Sequence, residues 1–407
     1  MSLRTNPRIP GGRAECHAVP GLAYNGLSLS IEGGRMAGLR LLHTADVHLG
    51  APFGFLGRRG REQRDQLKAT FSRVVDLAMT SQVDALLIAG DLFDSAYPQP
   101  GLVGEVVYQL QRLDSEGIWT LIAPGTHDRL QPGGVYESGD LSSLAHVHIF
   151  RDVEMTPYSL GGLDLDVYGM AVNSEGKDVL KGFRAEDAAR WRVGMLHASF
   201  MLPGKVERDE MLVSAESVAG SNLHYLALGH WHTRGDYSQG NTPAFYCGSP
   251  EPLDIGRGEE GSVLLVELEE GEPARVQAIP VGHRRMSRLE LDASGIGSPA
   301  ELYAHLRRMA DRDLVLEVRL KGMWGDDWAA SDWDRLEDEL APLFFHLRLS
   351  ISPAGITAQD VEAYPEKTVI GSFIRIAREE MELREGEDLL VAEEAFRLGL
   401  AHLAGRS

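Results

Sequence analysis

Three apolar stretches, each closing on aspartate or histidine, constrain this chain more than any other feature. Leu39 to Leu42 leads into His43-Thr-Ala-Asp-Val-His-Leu-Gly50. Ala85 to Ala89 leads into Gly90-Asp91-Leu-Phe-Asp94. Trp119 to Ala123 leads through Pro124 into Gly125-Thr-His-Asp128. Uninterrupted apolar runs bounded by Gly read as strands buried on both faces. Between them, Phe71, Val74, Val75 and Ala78 have helical spacing, as do Val103, Val106, Val107 and Leu110, which predict a helix from Gly101 to Leu113. Strand alternating with helix is the α/β signature, and ligands gather outside the carboxyl ends of such strands. Asp46 and His48 stand two apart, so extended backbone projects them to the same side.

Later strands end the same way. Arg192 to His197 closes on a histidine, and Leu223 to Gly229 closes on His230-Trp-His232. Shorter strands with Gly turns lie between Arg151 and Arg192, for example Leu163 to Met170. Tyr237, Phe245-Tyr246, Val263 to Leu268 and Ala274 to Ile279 read as a run of antiparallel strands. The character changes near Gly282. Strands are expected at Arg288–Leu291, Leu314–Leu320 and Phe344–Ile351, with a helix at Ala300–Met309. The tail from Thr368 is helical and charged, with apolar residues such as Phe373, Ile376, Leu389, Leu390 and Leu398. The expected divisions are an N-terminal extension outside the fold (1–35, with Met36 as the start), a core (36–281), a small α+β capping domain (282–355) and a helical tail (356–407).

The chain has 407 residues, 43% of them hydrophobic, enough for a sizeable core and more than one domain. Its formal net charge of -20 opposes strong non-specific binding to nucleic acid by the whole surface. A local basic groove, or a site where metal ions offset the acid, stays compatible with it. Cys16 and Cys247 are too few for a disulfide framework or a zinc cluster, and read as thiols of a reducing, cytoplasmic compartment. No apolar run approaches the ~18 residues a membrane helix needs, so no membrane segment is expected.

The polar strand ends are Asp46, His48, Asp91, His127, Asp128, His197, His230 and His232. Carboxylates mixed with imidazoles suit Mn2+, Fe2+ or Zn2+, and a carboxylate can bridge two ions. Two such ions about 3.5–4 Å apart clamp an in-line displacement at phosphorus and acidify the water between them. Each piece has a blander explanation. Asp46 and His48 could cap a turn, Asp91 and Asp94 could be helix N-caps, His197 a core histidine, and Trp231 a core filler. Those explanations need unrelated reasons for polar groups at one strand edge, and the metal reading needs only one.

Asp46-x-His48, Gly90-Asp91, Gly125-x-His127-Asp128, His197 and Gly229-His230-x-His232 resemble the motifs of the calcineurin-like metallophosphoesterases. Thr44 to Gly50, Gly90 to Asp94 and Tyr246-Cys-Gly-Ser-Pro-Glu-Pro-Leu253 are similar to SbcD-type DNA repair exonucleases. Val369 to Phe373 and Leu398 to Leu403 resemble the YhaO branch of that group. The resemblance implies a four-layer α/β/β/α phosphoesterase core with a capping domain. It implies that Asp46, His48 and His232 hold one Mn2+, that Asp91 bridges, and that His197 and His230 hold a second. His127, oriented by Asp128, would stabilise the phosphorane and protonate the leaving oxygen, as a general acid. It also implies DNA as substrate, an SbcC-like ATPase partner and a homodimer. The chain has no Gly-x-x-x-x-Gly-Lys-Ser/Thr loop, so any ATP dependence belongs to a partner, with the tail as a candidate docking element.

The motif expects Asn where this chain has Thr126, a shorter and poorer neutral ligand, so the second ion is expected to bind more weakly. Arg58, Arg59, Arg61 and Arg64 are expected to contact phosphates, their alternative being a solvated helix face. The competing functions are a phosphoesterase acting on something other than DNA, and a DNA- or ATPase-binding scaffold that no longer turns over.

Overall fold

A computed structural model of the chain describes residues 38–172, 176–256, 260–292, 296–321, 328, 331–351, 364–365, 367–384 and 387–403. The expected N-terminal extension lies outside these residues, as do parts of the expected cap and tail. The first half contains β1 (Leu39–Thr44), α1 (Gly60–Thr80), β2 (Ala85–Ala89), α2 (Pro100–Ser115), β3 (Trp119–Ala123) and β4 (Val147–Ile149). There follow β5 (Thr156–Leu160), β6 (Leu165–Gly169), β7 (Trp191–His197), a short pair β8 (Ser199–Phe200) and β9 (Leu212–Val213), α3 (Ala215–Gly220), β10 (Tyr225–Gly229), β11 (Gly235–Asp236) and β12 (Ala244–Tyr246). The remainder is β13 (Glu260–Leu268), β14 (Arg275–Asp292), α4 (Pro299–Arg308), β15 (Asp311–Lys321), α5 (Trp333–Leu340), β16 (Phe344–Ile351), α6 (Val369–Glu382) and α7 (Glu387–Leu403).

One sheet has the order β16-β15-β14-β13-β1-β2-β3-β4 and a second the order β11-β12-β10-β7-β6-β5. Successive side chains of a strand point to opposite faces, so each buried strand serves two layers. Leu87 of β2 points between the sheets, against Val167, Val193, Met195 and Tyr225. Its neighbours Leu86 and Ile88 point outward, against Phe71 and Val74 of α1 and Val106 and Leu110 of α2. The second sheet sends Leu196, Leu226 and Leu228 outward to Val218 of α3. Three apolar layers therefore separate four layers of structure, the α/β/β/α arrangement the motifs implied.

Local differences from the sequence reading have simple causes. Helix α2 starts one residue early because Pro100, with no N–H to lose, occupies its first turn. Leu163 ends a 3-10 turn, and β6 begins only at Leu165. Strand β12 runs parallel to β10, not antiparallel, and its antiparallel partner is the two-residue β11, with Tyr237 just outside it. Alternating hydrophobicity reports a strand but not its direction.

Strand β14 runs unbroken through Gly282, where a domain boundary was expected. It pairs with β13 up to Pro280, shifts register, pairs with Glu260 of β13 again at Arg285, and from Arg285 onward pairs with β15 on its other side. Gly261 and Gly282 meet there: a Cβ on Gly282 would lie 2.7 Å from the Gly261 nitrogen. The composition change therefore marks a bulge in a continuous strand. Strands β14, β15 and β16, where the capping domain was expected, are mutually parallel, joined through α4 and α5, and extend the first sheet. Glu251 locks the bulge. Buried at 1% exposure, it accepts the amides of His283 (2.9 Å) and Arg284 (2.8 Å) and the Thr70 hydroxyl of α1 (2.5 Å). In the tail, α6 and α7 share Ile374, Phe396 and Leu400, and the rings of Phe373 and Phe396 stack at 6.0 Å.

Glu251→Ala strands two backbone donors at the bulge and is expected to cost about 2–4 kcal/mol of stability, since each buried unpaired polar group costs roughly 1–3 kcal/mol. Thr70→Val removes one hydroxyl donor and is expected to cost about 1 kcal/mol. Urea unfolding of the two variants checks both values.

Candidate metal centre

Strands β1, β2 and β3 are parallel and level, as are β7 and β10, so their carboxyl ends form one rim across both sheets. The loops leaving this rim are joined by backbone hydrogen bonds, among them Asp46 N to Gly90 O (3.0 Å) and His48 N to Asp91 O (2.9 Å). Asp46 (φ 51°), His48 (φ 48°), Asp91 (φ 52°) and His230 (φ 102°) all have left-handed backbone, a conformation that side chains adopt rarely and mostly at functional sites. Asp46 and His48 thus converge through a tight turn, not the extended backbone expected from their spacing. Two glycines permit the approach of the loops. A Cβ on Gly229 would lie 1.8 Å from Ala89 O, and one on Gly125 would lie 2.2 Å from Asp91 Oδ1.

Asp46, His48 and His232 bring ligand atoms within 4.8 Å of one another, and so do Asp46, Asp91 and His197. Asp91 Oδ2 stands between the two groups, 3.4 Å from His48 Nε2 and 3.2 Å from His197 Nε2. Thr126 Oγ1 reaches the second group, 3.3 Å from Asp91 Oδ2 and 3.5 Å from His197 Nε2. His230 Nδ1 lies 3.3 Å from His197 Nε2. The main chain supports the carboxylates: the His230 amide donates to both Asp46 oxygens at 3.0 Å, and the His127 amide donates to Asp91 Oδ1 at 2.8 Å. Among the described residues His48 Nε2 is buried with no hydrogen-bond partner, its nearest acceptor being Asp91 Oδ2 at 3.4 Å, a spacing that a cation between the two would fill. These oxygen and imidazole donors could hold divalent cations.

Electrostatics points the same way. Burial alone would lower the pKa of His197, but the carboxylates of Asp91 and Asp46 outweigh it and raise it to about 10. His48 is likewise raised against its burial, by Asp94, Asp91 and Asp46. Asp91 is held well below the carboxylate range, against burial, by His197 and His48. Imidazolium protons thus neutralise the carboxylates wherever no cation does so.

His127 stands at the open side, with half its side chain exposed. Its Nδ1 is 3.3 Å from Asp94 O and 3.5 Å from Asp94 Oδ1, and that oxygen also lies 3.0 Å from His48 Nδ1. Asp94 is therefore no helix cap, since α2 begins at Pro100 after Gln99. The orienting role expected of Asp128 is corrected: among the described residues its buried carboxylate makes no hydrogen bond to His127, and instead accepts the amides of Gly125 (2.7 Å) and Phe93 (3.1 Å) and the Tyr136 hydroxyl (2.6 Å). Burial raises its pKa, with the Asp91 charge adding to the effect. Sequence adjacency suggested the Asp128–His127 pairing, whereas in the folded turn Asp128 bonds to Gly125, Phe93 and Tyr136 and His127 lies beside Asp94. Asp94 carried a usable signal, three residues after Asp91 in the same string. Asp209, whose Oδ2 is 3.0 Å from His230 Nε2, carried none.

The four arginines divide. Arg58 and Arg61 are exposed. Arg59 stacks its guanidinium over Phe345, 5.1 Å from the ring centre. Arg64 donates to Pro52 O at 2.8 Å. Arg61 and Arg64, with Lys68, line a cavity of about 680 Å³ that reaches Asp94. Trp231 fills space as expected, stacked on Tyr246 at 4.7 Å.

Over residues 39–234 the chain matches the family model of calcineurin-like phosphoesterases. It is 29% identical over 293 residues to the DNA double-strand break repair protein Mre11 of Methanopyrus kandleri, covering 66% of this chain and 63% of that protein. It is 28% identical over 244 residues to the uncharacterized metallophosphoesterase YhaO of Bacillus subtilis, covering 58% of each. It is 24% identical over 347 residues to the SbcD component of the nuclease SbcCD of Bacillus subtilis, covering 76% of this chain and 85% of that one. The chain thus spans less than two thirds of the length of the first two relatives.

Because the His197 pKa is raised to about 10, its proton must leave before the ring can ligate a cation. Divalent-cation affinity is therefore expected to rise with pH through the neutral range, by up to about tenfold per unit for each proton released. Calorimetric titration at several pH values, in buffers of differing ionisation enthalpy, measures both the affinity and the proton count.

Proposed function

We propose, from the premise that residues 39–234 are a calcineurin-like phosphoesterase domain, that this chain is a manganese-dependent nuclease hydrolysing DNA phosphodiesters. The observation that carries the reading is the convergence of Asp46, His48, Asp91, His197, His230 and His232 on one rim, with His48 Nε2 buried and facing Asp91 Oδ2 at 3.4 Å. DNA as substrate is supported by the similarity to a double-strand break repair protein and to a nuclease. Asp46, His48 and His232 are the residues for one cation, Asp91 is shared, and Thr126, His197 and His230 serve the other. When bound, two such ions supply Lewis acidity toward a phosphate and lower the pKa of water.

The chain's own groups then have definite tasks. Asp94 engages His127 Nδ1, which leaves Nε2 to meet the substrate and give its proton to the departing oxygen. Arg61 and Arg64 draw the phosphates of the strand along the adjoining cavity. Asp128 ties the loops of Asp91 and His127 together through Phe93 N and Gly125 N. The α6–α7 hairpin exposes Val369 and Ile376, an apolar surface suited to an SbcC-like ATPase partner. A second reading, a DNA-binding scaffold, draws on Thr126, whose hydroxyl stands where the family pattern has an amide. It predicts DNA binding without cleavage in Mn2+.

His127→Ala is expected to slow Mn2+-dependent cleavage of linear DNA by about 10²–10⁴-fold with the melting temperature unchanged. Asp94→Asn is expected to fall between the parent and that variant. Thr126→Asn is expected to raise the rate at limiting Mn2+. Cleavage assays with titrated Mn2+ on linear and circular DNA test all three, and no cleavage by the parent at any Mn2+ concentration would leave the scaffold reading.

A further inference from the structure

Asp209 lies on the segment between β8 and β9, which leaves the rim just after His197 of β7. Its Oδ2 accepts hydrogen bonds from His230 Nε2 at 3.0 Å and from Ser199 Oγ at 2.6 Å. Its Oδ1 accepts the Glu210 amide at 2.7 Å. Ser199 Oγ in turn accepts the indole N–H of Trp231 at 2.9 Å. A closed circuit therefore runs from His230 through Asp209 and Ser199 to Trp231, the residue beside His230. The circuit is anchored where the Ser199 amide bonds to Met211 O at 3.0 Å.

The opposite edge of the His230 ring faces the second ligand group, with Nδ1 at 3.3 Å from His197 Nε2. A neutral imidazole carries one proton. A carboxylate at Nε2 holds the proton there and leaves the Nδ1 lone pair directed at the group. The fixed lone pair faces the half of the site where Thr126 offers only a hydroxyl, 3.5 Å from His197 Nε2.

We propose that Asp209 is a positioning residue that sets the affinity of the second cation, by fixing the ring orientation and tautomer of His230. This rests on the two-cation phosphoesterase reading above. Asp209 thereby compensates for the weak ligand at Thr126, from a segment that contributes no ligand of its own.

The test titrates Mn2+ into the cation-free full chain by calorimetry, with low-temperature electron paramagnetic resonance to distinguish paired from isolated Mn2+. The parent is expected to take up two ions. In Asp209→Ala one ion is expected to bind as in the parent and the other about 10–100-fold more weakly, with the paired signal replaced by an isolated one. Asp209→Asn keeps an acceptor without the charge, and is expected to weaken the same ion by about tenfold. It is read alone if the melting temperature shows that the alanine variant does not fold. His230→Ala is expected to remove the second ion, and adding Asp209→Ala to it is expected to change nothing more. Unchanged uptake in both Asp209 variants, equal weakening of both ions, or no second ion in the parent overturns the proposal. DNA cleavage is measured separately: a parent that binds two ions yet cleaves no DNA refutes the nuclease reading and leaves the role of Asp209 standing.

Discussion

Two carboxylates, Asp46 and Asp91, sit almost wholly buried at the ends of adjacent strands, and the rest of the rim answers to them. An ionised carboxylate inside a protein is unfavourable by several kcal/mol unless it is paired and hydrogen-bonded. Here the main chain supplies part of the compensation, through the amides of His230 and His127. Imidazoles supply the remainder, and their raised pKa values record how strongly the carboxylates demand positive charge. A divalent cation meets that demand with more charge and less volume than two imidazolium rings. Metal binding and the electrostatic balance of the fold are therefore one question.

Such a site needs backbone held in unfavourable conformations. Four rim residues with side chains have positive φ, each a local strain of the order of 1–3 kcal/mol. The sandwich below provides the rigidity that holds them. Leu41, Leu87, Leu121, Val193 and Met195 are fully buried between the sheets and fix the height of every strand end. Asp128 knots the loops above, and Gly125 and Gly229 let them approach more closely than any other residue would allow. The close-packed interior thus determines where the polar rim can lie.

Support also reaches the rim from residues remote in the chain. Asp94 serves His48 and His127 together, and Asp209 serves His230. Glu251 joins α1 to the bulge in β14, whose continuation with β15 and β16 belongs to the same sheet that carries β1 and β2. Arg59 and Arg284 both approach Phe345, at 5.1 and 3.5 Å, and tie β16 to the start of α1. The groove beside the site and the far edge of that sheet are therefore built on shared elements.

The sequence alone determined the layers and the ligand candidates. Apolar runs mark buried strands, and Asp46, His48, Asp91, His197, His230 and His232 all follow such runs, because a parallel strand must end where the chain turns outward. Other features are set by geometry that no local pattern encodes. The direction of β12, the passage of β14 through Gly282, the replacement of Asp128 by Asp94 beside His127, and the contact of Asp209 with His230 belong to this group. Periodicity fixes which face of a strand is apolar, but hydrogen-bond partners between segments 21 residues apart, as for Asp209 and His230, or 181, as for Thr70 and Glu251, exist only once the sheets have packed. Strand ends are a property of the local chain, while the turn that aims a side chain there is settled by the neighbours it meets.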